Sequence, residues 1–493
     1  MEIYNTLTKH KETFQPREPG KVGIYVCGPT TYNYIHLGNA RPLVFFDTVR
    51  RYFTWKGYDV FYIQNFTDID DKIINRAAQE GKEPLEFSRS YIKEYFKDAD
   101  ALNVRRADMH PLVTEHIDEI ISLVKKLVEN GSAYIVEGDV YFEVRKFVHY
   151  GKLSGRKFDD MQAGARVEVD ARKHDPLDFV LWKAAKPGEP SWESPWGYGR
   201  PGWHIECSAM SLKYLGTNFD IHGGGFDLIF PHHENEIAQS EAATGKPFVR
   251  YWAHNGFITV NEEKMSKSLG NFFLVRDILV KFPAETVRFY LLSTHYRSPL
   301  DFDDDKLTAA GRGLERIKTS ISLLSEALAK PVNEKAETLI ADVVINENET
   351  FEIRLENTKD CFEAAMDDDF NTALAIGINF DLAREVNTMV QRLGETVSAA
   401  DRKVLQKAVD LFKIFNEVMG IFKVDSSGMM LLDGSAVGGS DLAEGLIELI
   451  IEMRQEARKK KDWGTADRIR YGLKELGIIL EDTPQGVRWK KQG

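Results

Sequence analysis

The chain has 493 residues, 43% hydrophobic and 28% charged, with a formal net charge of −12. These proportions exclude a disordered or fibrous polymer and a chain coated in positive charge, and the length calls for about three or four compact units. Three cysteines cannot build a disulfide framework, the opening MEIYNTLTKHKETFQ lacks the apolar core of a secretory signal, and runs such as LIELIIEM are too short to cross a bilayer.

Residues 21–27 (KVGIYVC) read as a short buried strand, followed by the turn GPTTYNYIHLGN and a helical run, ARPLVFFDTVRRYFTWKG, ending at Gly57. A second strand, DVFYIQNFTDI, follows directly. Strand, helix and strand in this spacing predict a βαβ unit and a parallel sheet. Residues 72–130 read as mainly helical. From about 138 to 203, prolines and four tryptophans (Trp182, Trp192, Trp196, Trp203) punctuate short strands and turns, the pattern of an insertion within the α/β domain.

The α/β pattern resumes with NFDIHGGG, a strand and glycine turn, and PHHENEIAQSEAATG, a helix with a stop at Gly245. Residues 275–430 carry helical periodicity almost throughout, as a helix bundle would. DGSAVGGS (433–440) is the best linker. Residues 454–493 then hold eleven Lys/Arg against six Asp/Glu, a basic end on an acidic chain. There is no internal repeat. The expected units are 1–110 and 201–262 as two halves of one α/β domain, 111–200 as the insertion, 263–310 as a loop and stem-contact region, 311–432 as the bundle, and 441–493 as a terminal module.

Two apparent motifs fail on context. GYGRPG carries the glycines of a dinucleotide fingerprint, but no strand precedes it and a proline interrupts it. HHENE is no zincin motif, because Ile237 stands four residues after His233. A stronger set is Cys27, Cys207, His232 and Glu236. The last two are i and i+4, on one helix face, and two thiolates, an imidazole and a carboxylate suit zinc. Spacing alone leaves the other reading open, in which the cysteines are small buried hydrophobes.

Two further motifs bear on the choice. His36-Leu37-Gly38-Asn39 follows the first strand at a helix start, where side chains and free helix amides can meet a phosphate chain. Lys264-Met265-Ser266-Lys267-Ser268 is a short loop with two cations, suited to closing over a triphosphate.

With these motifs in order, the chain resembles the class I aminoacyl-tRNA synthetases, and most narrowly the cysteinyl-tRNA synthetase family. The matching segments include YVCGPTTYNYIHLGNAR, NFTDIDDKII, GRPGWHIECSAMS, DIHGGGFDLIFPHHENEIAQSEA, KMSKSLGN, AMDDDFNTA and DTPQGVRWK, from residue 25 to the tail. Asn39 departs from the histidine more usual there, and asparagine carries no positive charge. The resemblance implies a Rossmann-like α/β catalytic domain with an inserted connective domain, a helical bundle and a small C-terminal module.

It also implies activation of cysteine with ATP to cysteinyl-adenylate, then transfer to the terminal ribose of tRNA(Cys). In that reading His36, Asn39, Lys264 and Lys267 are catalytic, and Gly224 and Asp227 join His36, Asn39 and Lys267 around ATP. Cys27, Cys207, His232 and Glu236 hold one zinc ion that selects the substrate thiol, since shape alone separates cysteine poorly from serine. Thr67, Trp203 and His222 wall the bound cysteine, and Mg2+ accompanies ATP. Arg488, Trp489 and Lys490 in the basic module contact tRNA, with Trp463 expected in that module's core. Cys361 has no motif partner. The implied partners are tRNA(Cys), ATP and L-cysteine, with no membrane, for a cytoplasmic monomer. The nearest rival is a paralogous ligase that transfers cysteine to a small amino-sugar. The bundle and basic tail count against it.

Overall fold

The run KVGIYVC is apolar at nearly every position because its strand is covered on both faces, the pattern of a central parallel strand. In the computed structural model, which describes residues 1–158, 171–260, 263–264, 272–341, 343–346, 349–426, 428–432, 439–476, 478–483 and 486–491, this strand spans Lys21–Val26. It pairs in parallel with Asp59–Gln64 on one side and Phe219–Gly225 on the other, and Val249–Asn255 completes a four-stranded parallel sheet. The chain therefore leaves the central strand toward one neighbour, at Asp59–Gln64, and returns on the opposite side only at Phe219. That is a topological switch point, where a crevice opens beyond the carboxyl ends of the strands.

The helix Leu37–Trp55 crosses between the first two strands. It starts sooner than its apolar run suggests, because Asn39 Oδ1 accepts the His36 backbone N–H at 3.2 Å and caps the turn.

The insertion is a four-stranded antiparallel sheet of Ala133–Val136, Asp139–Phe142, Phe179–Ala184 and Gly199–Pro201. It accounts for the glycines of GYGRPG. A Cβ on Gly199 would lie 2.3 Å from Trp182 Nε1, one on Gly202 would lie 2.1 Å from the Val180 carbonyl oxygen, and Gly197 turns at φ +110°. These glycines serve strand packing, not a nucleotide.

Four helices, Asp304–Ala329, Phe351–Asp367, Thr372–Val390 and Ala399–Met419, form the bundle. The first runs unbroken through the expected boundary at 310/311. A short antiparallel pair, Val344–Asn346 with Glu349–Thr350, interrupts the helical pattern expected over 275–430. One hydrophobic core runs from Ile3 through Val44, Phe289 and Leu314 to Phe415, so the α/β domain and the bundle fuse into one unit, Met1–Leu432. A buried ion cluster reinforces that seam. Asp47 Oδ2 accepts from Arg51 Nε at 2.7 Å and from Arg288 Nη2 at 2.6 Å, and Arg288 Nε donates to the Met419 carbonyl at 2.8 Å.

The second unit, Asp433–Gly493, has helices Gly439–Lys459 and Trp463–Glu475 and a hairpin of Ile478–Thr483 with Gly486–Lys491. The tail is a strand whose backbone pairs Trp489 with Leu480 and Arg488 with Glu481. One expectation changes here. Trp463 is 59% exposed at its helix start, not in a core. The linker residues 433–438 lie outside the described residues, and the helix begins within the expected linker, at Gly439. Among the described residues, no helix is long and apolar enough to cross a membrane.

Candidate active site and metal centre

Three chain segments converge beyond the ends of the central strands. Cys27 ends the run from Lys21–Val26, Cys207 lies on the helix Trp203–Leu215, His232 lies on the wide turn Ile229–His233, and Glu236 lies in the helix Glu234–Thr244 that follows it. Their ligand atoms all lie within 4.8 Å of one another. Cys27 Sγ is 3.5 Å from Cys207 Sγ and 3.4 Å from Glu236 Oε1, and His232 Nε2 is 3.0 Å from Glu236 Oε1. Tetrahedral zinc with bonds of about 2.0–2.3 Å needs donor–donor edges of roughly 3.3–3.8 Å, and these three edges are within a few tenths of an ångström of that size.

A second set, Cys27, His222, His233 and Glu236, also meets the 4.8 Å limit. His222 Nε2 is 2.8 Å from Glu236 Oε2, and His233 Nε2 is 3.4 Å from Cys27 Sγ. The sequence reading missed His233 as part of the cluster, along with His204 and His254. His204 Nδ1 lies 3.0 Å from His232 Nδ1, and His254 Nε2 lies 2.7 Å from His233 Nδ1. The density of histidine in WHIE, HHENE and WAHN was the available signal.

Electrostatics poise the first set for a cation. Burial works upward on Glu236, yet His222 and His232 beside it hold its carboxyl down to about 2. Burial works downward on His232, yet Glu236 and Cys207 push it up to about 10. Burial works upward on both thiols. The hydrogen bond from Cys27, together with His232, brings Cys207 down to about 6, while Cys27 itself is pushed well up. Burial drives His204 and His233 well down, and His254 down to about 3.

Cys27 opens into a cleft of about 400 Å³ that Thr30, His36, Asn39, Trp203 and Asp227 also line. The HGGG turn shapes its floor. A Cβ on Gly223 would lie 2.1 Å from the Phe46 ring, and one on Gly224 would lie 2.8 Å from Leu228 Cδ1, so only glycine lets backbone and cleft meet here. Gly28 is equally constrained, its Cβ position lying 1.6 Å from the Asn65 carbonyl oxygen.

The free helix amides expected at HLGN are largely taken. Leu37 donates to the Phe273 carbonyl at 3.0 Å, and Asn39 donates to the His36 carbonyl at 2.8 Å. With Asn39 Oδ1 on the cap, its NH2 group is the donor it can offer the cleft.

Of the expected cysteine walls, Trp203 lines the cleft at 39% exposure and stacks on His232, rings 4.3 Å apart. Thr67 and His222 stand behind it, both buried. Thr67 Oγ1 donates to Glu206 Oε2 at 2.7 Å, and His222 is turned onto Glu236. Lys264 pairs with Thr259 in a two-residue strand, and Lys267 lies outside the described residues. The side chains of Lys264, Arg488, Trp489 and Lys490 do too. Cys361 is exposed and free.

A switch-point cleft beside such a cluster, with signature segments from both halves of a split domain, defines a class I aminoacyl-tRNA synthetase. Residues 13–312 match the family described as tRNA synthetases class I (C) catalytic domain, 361–423 the DALR domain, and 442–489 the cysteinyl-tRNA ligase anticodon binding domain. Among solved structures, a methionyl-tRNA synthetase of Mycobacterium tuberculosis superposes with a TM-score of 0.60 at 15% identity, covering 81% of this chain and 92% of that one. A putative arginyl-tRNA synthetase of Campylobacter jejuni gives 0.55 at 13%, with the same coverage. Cysteine–tRNA ligases of Pelotomaculum thermopropionicum and Desulforamulus reducens are 75% and 68% identical over the full length of both chains. The chain belongs to the cysteine–tRNA ligase family, an ATP-dependent ligase family.

Proposed function

We propose that this protein joins cysteine to tRNA(Cys) through a cysteinyl-adenylate, and that Cys27, Cys207, His232 and Glu236 hold the zinc that selects the amino acid. The observation that carries this is the four-donor cluster opening through Cys27 into the cleft that His36, Asn39 and Asp227 line. Zinc bound there would supply a thiophilic Lewis acid that favours a substrate thiol, with a pKa near 8.5, over an alcohol. We favour this set over the one with His222 and His233, because two thiolates suit zinc better than one.

The chain's own residues do the rest. The carboxylate of cysteine attacks the α-phosphate of ATP, so the protein needs no covalent nucleophile and works by positioning and charge stabilisation. His36 and the Asn39 amide steady the phosphates, Lys264 and Lys267 meet the charge growing on pyrophosphate, and Asp227 takes the adenosine ribose hydroxyls with Gly224 beside it. Mg2+ arrives with ATP. Trp203 covers the cysteine subsite. Thr67 and His222 act from behind, through Glu206 and Glu236. Arg488, Trp489 and Lys490 bind tRNA from the second unit, and the enzyme works as a cytoplasmic monomer.

Cysteine-dependent ATP–pyrophosphate exchange tests the first step, with serine as the competing substrate, and charging of tRNA(Cys) tests the second. Exchange without charging of tRNA would favour transfer to a small amine. Equal exchange with serine would remove the selective role of the cluster.

A further inference from the structure

The Cys27 sulfur has a partner outside the four-donor set, and that partner is the end of a hydrogen-bonded chain. His233 Nε2 lies 3.4 Å from Cys27 Sγ, and His233 Nδ1 lies 2.7 Å from His254 Nε2. His254 Nδ1 in turn lies 2.8 Å from Thr6 Oγ1. Both rings are buried. Thr6 belongs to the N-terminal segment ahead of the matched catalytic domain, which begins at residue 13. Its backbone N–H donates to the Trp252 carbonyl at 2.9 Å, which anchors the Thr6 main chain independently of the hydroxyl's own hydrogen bond.

Each ring nitrogen of a neutral imidazole either donates or accepts, and the two roles on one ring are opposite. The chain therefore has only two polarities. In one, Thr6 O–H donates to His254 Nδ1, His254 Nε2–H donates to His233 Nδ1, and His233 Nε2–H points at the Cys27 sulfur. In the other, every arrow reverses and the His233 Nε2 lone pair faces that sulfur. A thiolate ligand accepts hydrogen bonds and repels a lone pair, so metal on Cys27 selects the first polarity.

We propose that Thr6 and His254 are positioning residues that support His233 as an N–H donor to the Cys27 thiolate in the polarity the metal selects, tuning how strongly that sulfur binds the metal. This rests on the zinc reading above. It gives the N-terminal segment a part in the active site and makes His233 an outer partner of Cys27, not a ligand. An N–H···S bond draws electron density from the sulfur, leaving the metal a stronger acid toward the substrate thiol.

The test uses the full-length protein loaded with cobalt(II) in place of zinc, with Thr6→Val, which keeps the side-chain shape, and Thr6→Ser, which restores the hydroxyl. Thr6→Val should move the thiolate-to-cobalt charge-transfer band to lower energy and weaken zinc about tenfold or more in chelator competition. Thr6→Ser should return both readouts to the native values. An unshifted band, a shift to higher energy, or the same change in the Ser and Val variants would each overturn the proposal. Absence of any thiolate band in the unaltered protein would instead defeat the zinc reading on which it rests. His254→Phe offers a second route to the same shift should Thr6→Val fold poorly.

Discussion

The backbone N–H of Leu37 donates to the carbonyl of Phe273 at 3.0 Å, and Val275 returns a bond to Ile35, also at 3.0 Å. The Phe272 ring sits edge-on to His36, ring centroids 4.7 Å apart. The start of the HLGN helix and the segment just after KMSKSLGN are thus stitched together, although roughly 230 residues separate them in sequence. Lys267 stands five residues before Phe272 in sequence, so at most about 18 Å of extended chain separates it from that residue.

That tether frames the first prediction. Lys267→Ala should slow cysteinyl-adenylate formation on the order of a hundredfold or more while changing cysteine affinity little, because charge on the leaving pyrophosphate grows toward the transition state. Single-turnover kinetics with direct ATP binding separates the two effects. Matching losses in ATP affinity and rate would make Lys267 a ground-state binder.

Cys207→Ser should lose zinc and cysteine affinity together, seen by elemental analysis and equilibrium binding. Full zinc occupancy in the variant would refute the ligand set. In the unaltered protein at pH 7.5, zinc should displace about two protons, one from Cys27 and one from His232, both of which hold a proton there. Glu236 at about 2 and Cys207 at about 6 are already ionised. Calorimetry in buffers of different ionisation enthalpy counts these protons.

The Asp47 cluster gives a stability prediction with a defined sign. Burial raises the Asp47 carboxyl, but Arg288 and Arg51 outweigh it and hold the group below its usual range. A depressed carboxylate contributes stability above its unfolded pKa, near 3.9, and loses it as pH falls through the lower folded value. Asp47→Asn should therefore cost about 3–5 kcal/mol at pH 7, by stranding the Arg288 guanidinium, and distinctly less at pH 3. Urea unfolding at both pH values measures the gap. A gap independent of pH would mean that the charge on Asp47 does not matter.

Much of this site was legible because its chemistry depends on residue type. Cysteine, histidine and glutamate in GPTT-flanked, WHIEC and HHENE segments name a zinc-compatible set before any fold is known. The relay through His233, His254 and Thr6 was not legible, since nothing in their spacing brings residues 6, 233 and 254 together. Only the parallel pairing of Val249–Asn255 with Phe219–Gly225, and the backbone bond from Thr6 to Trp252, does so. The fusion of bundle and catalytic domain was hidden for a related reason. Helical periodicity shows that a face is apolar but not which core it joins, and here Phe415 and Phe46 share one. Trp463 shows the converse, as a tryptophan whose size suggested a core and whose place at a helix start leaves it in solvent.

The division at 432/433 leads to a final prediction. A chain ending at Leu432 should keep cysteine-dependent pyrophosphate exchange, since the cleft and the cluster lie wholly within the first unit. It should lose most charging of tRNA(Cys), and its tRNA affinity should fall less steeply with salt than that of the full chain. Full-rate charging by the truncated protein, folded by circular dichroism, would move tRNA reading into the bundle.

The cluster also sets a timetable. Cys27 and Glu236 are 209 residues apart. At about 5–20 residues per second on the ribosome, roughly 10–40 seconds pass between the making of one and the making of the other. For most of that interval Cys27 is a lone thiol, because Cys207 is made 180 residues after it and His232 and Glu236 later still. A chain under synthesis therefore meets the cell's reducing capacity before the proposed zinc site is complete. Oxidative stress and metal shortage should damage this enzyme at different stages of its making.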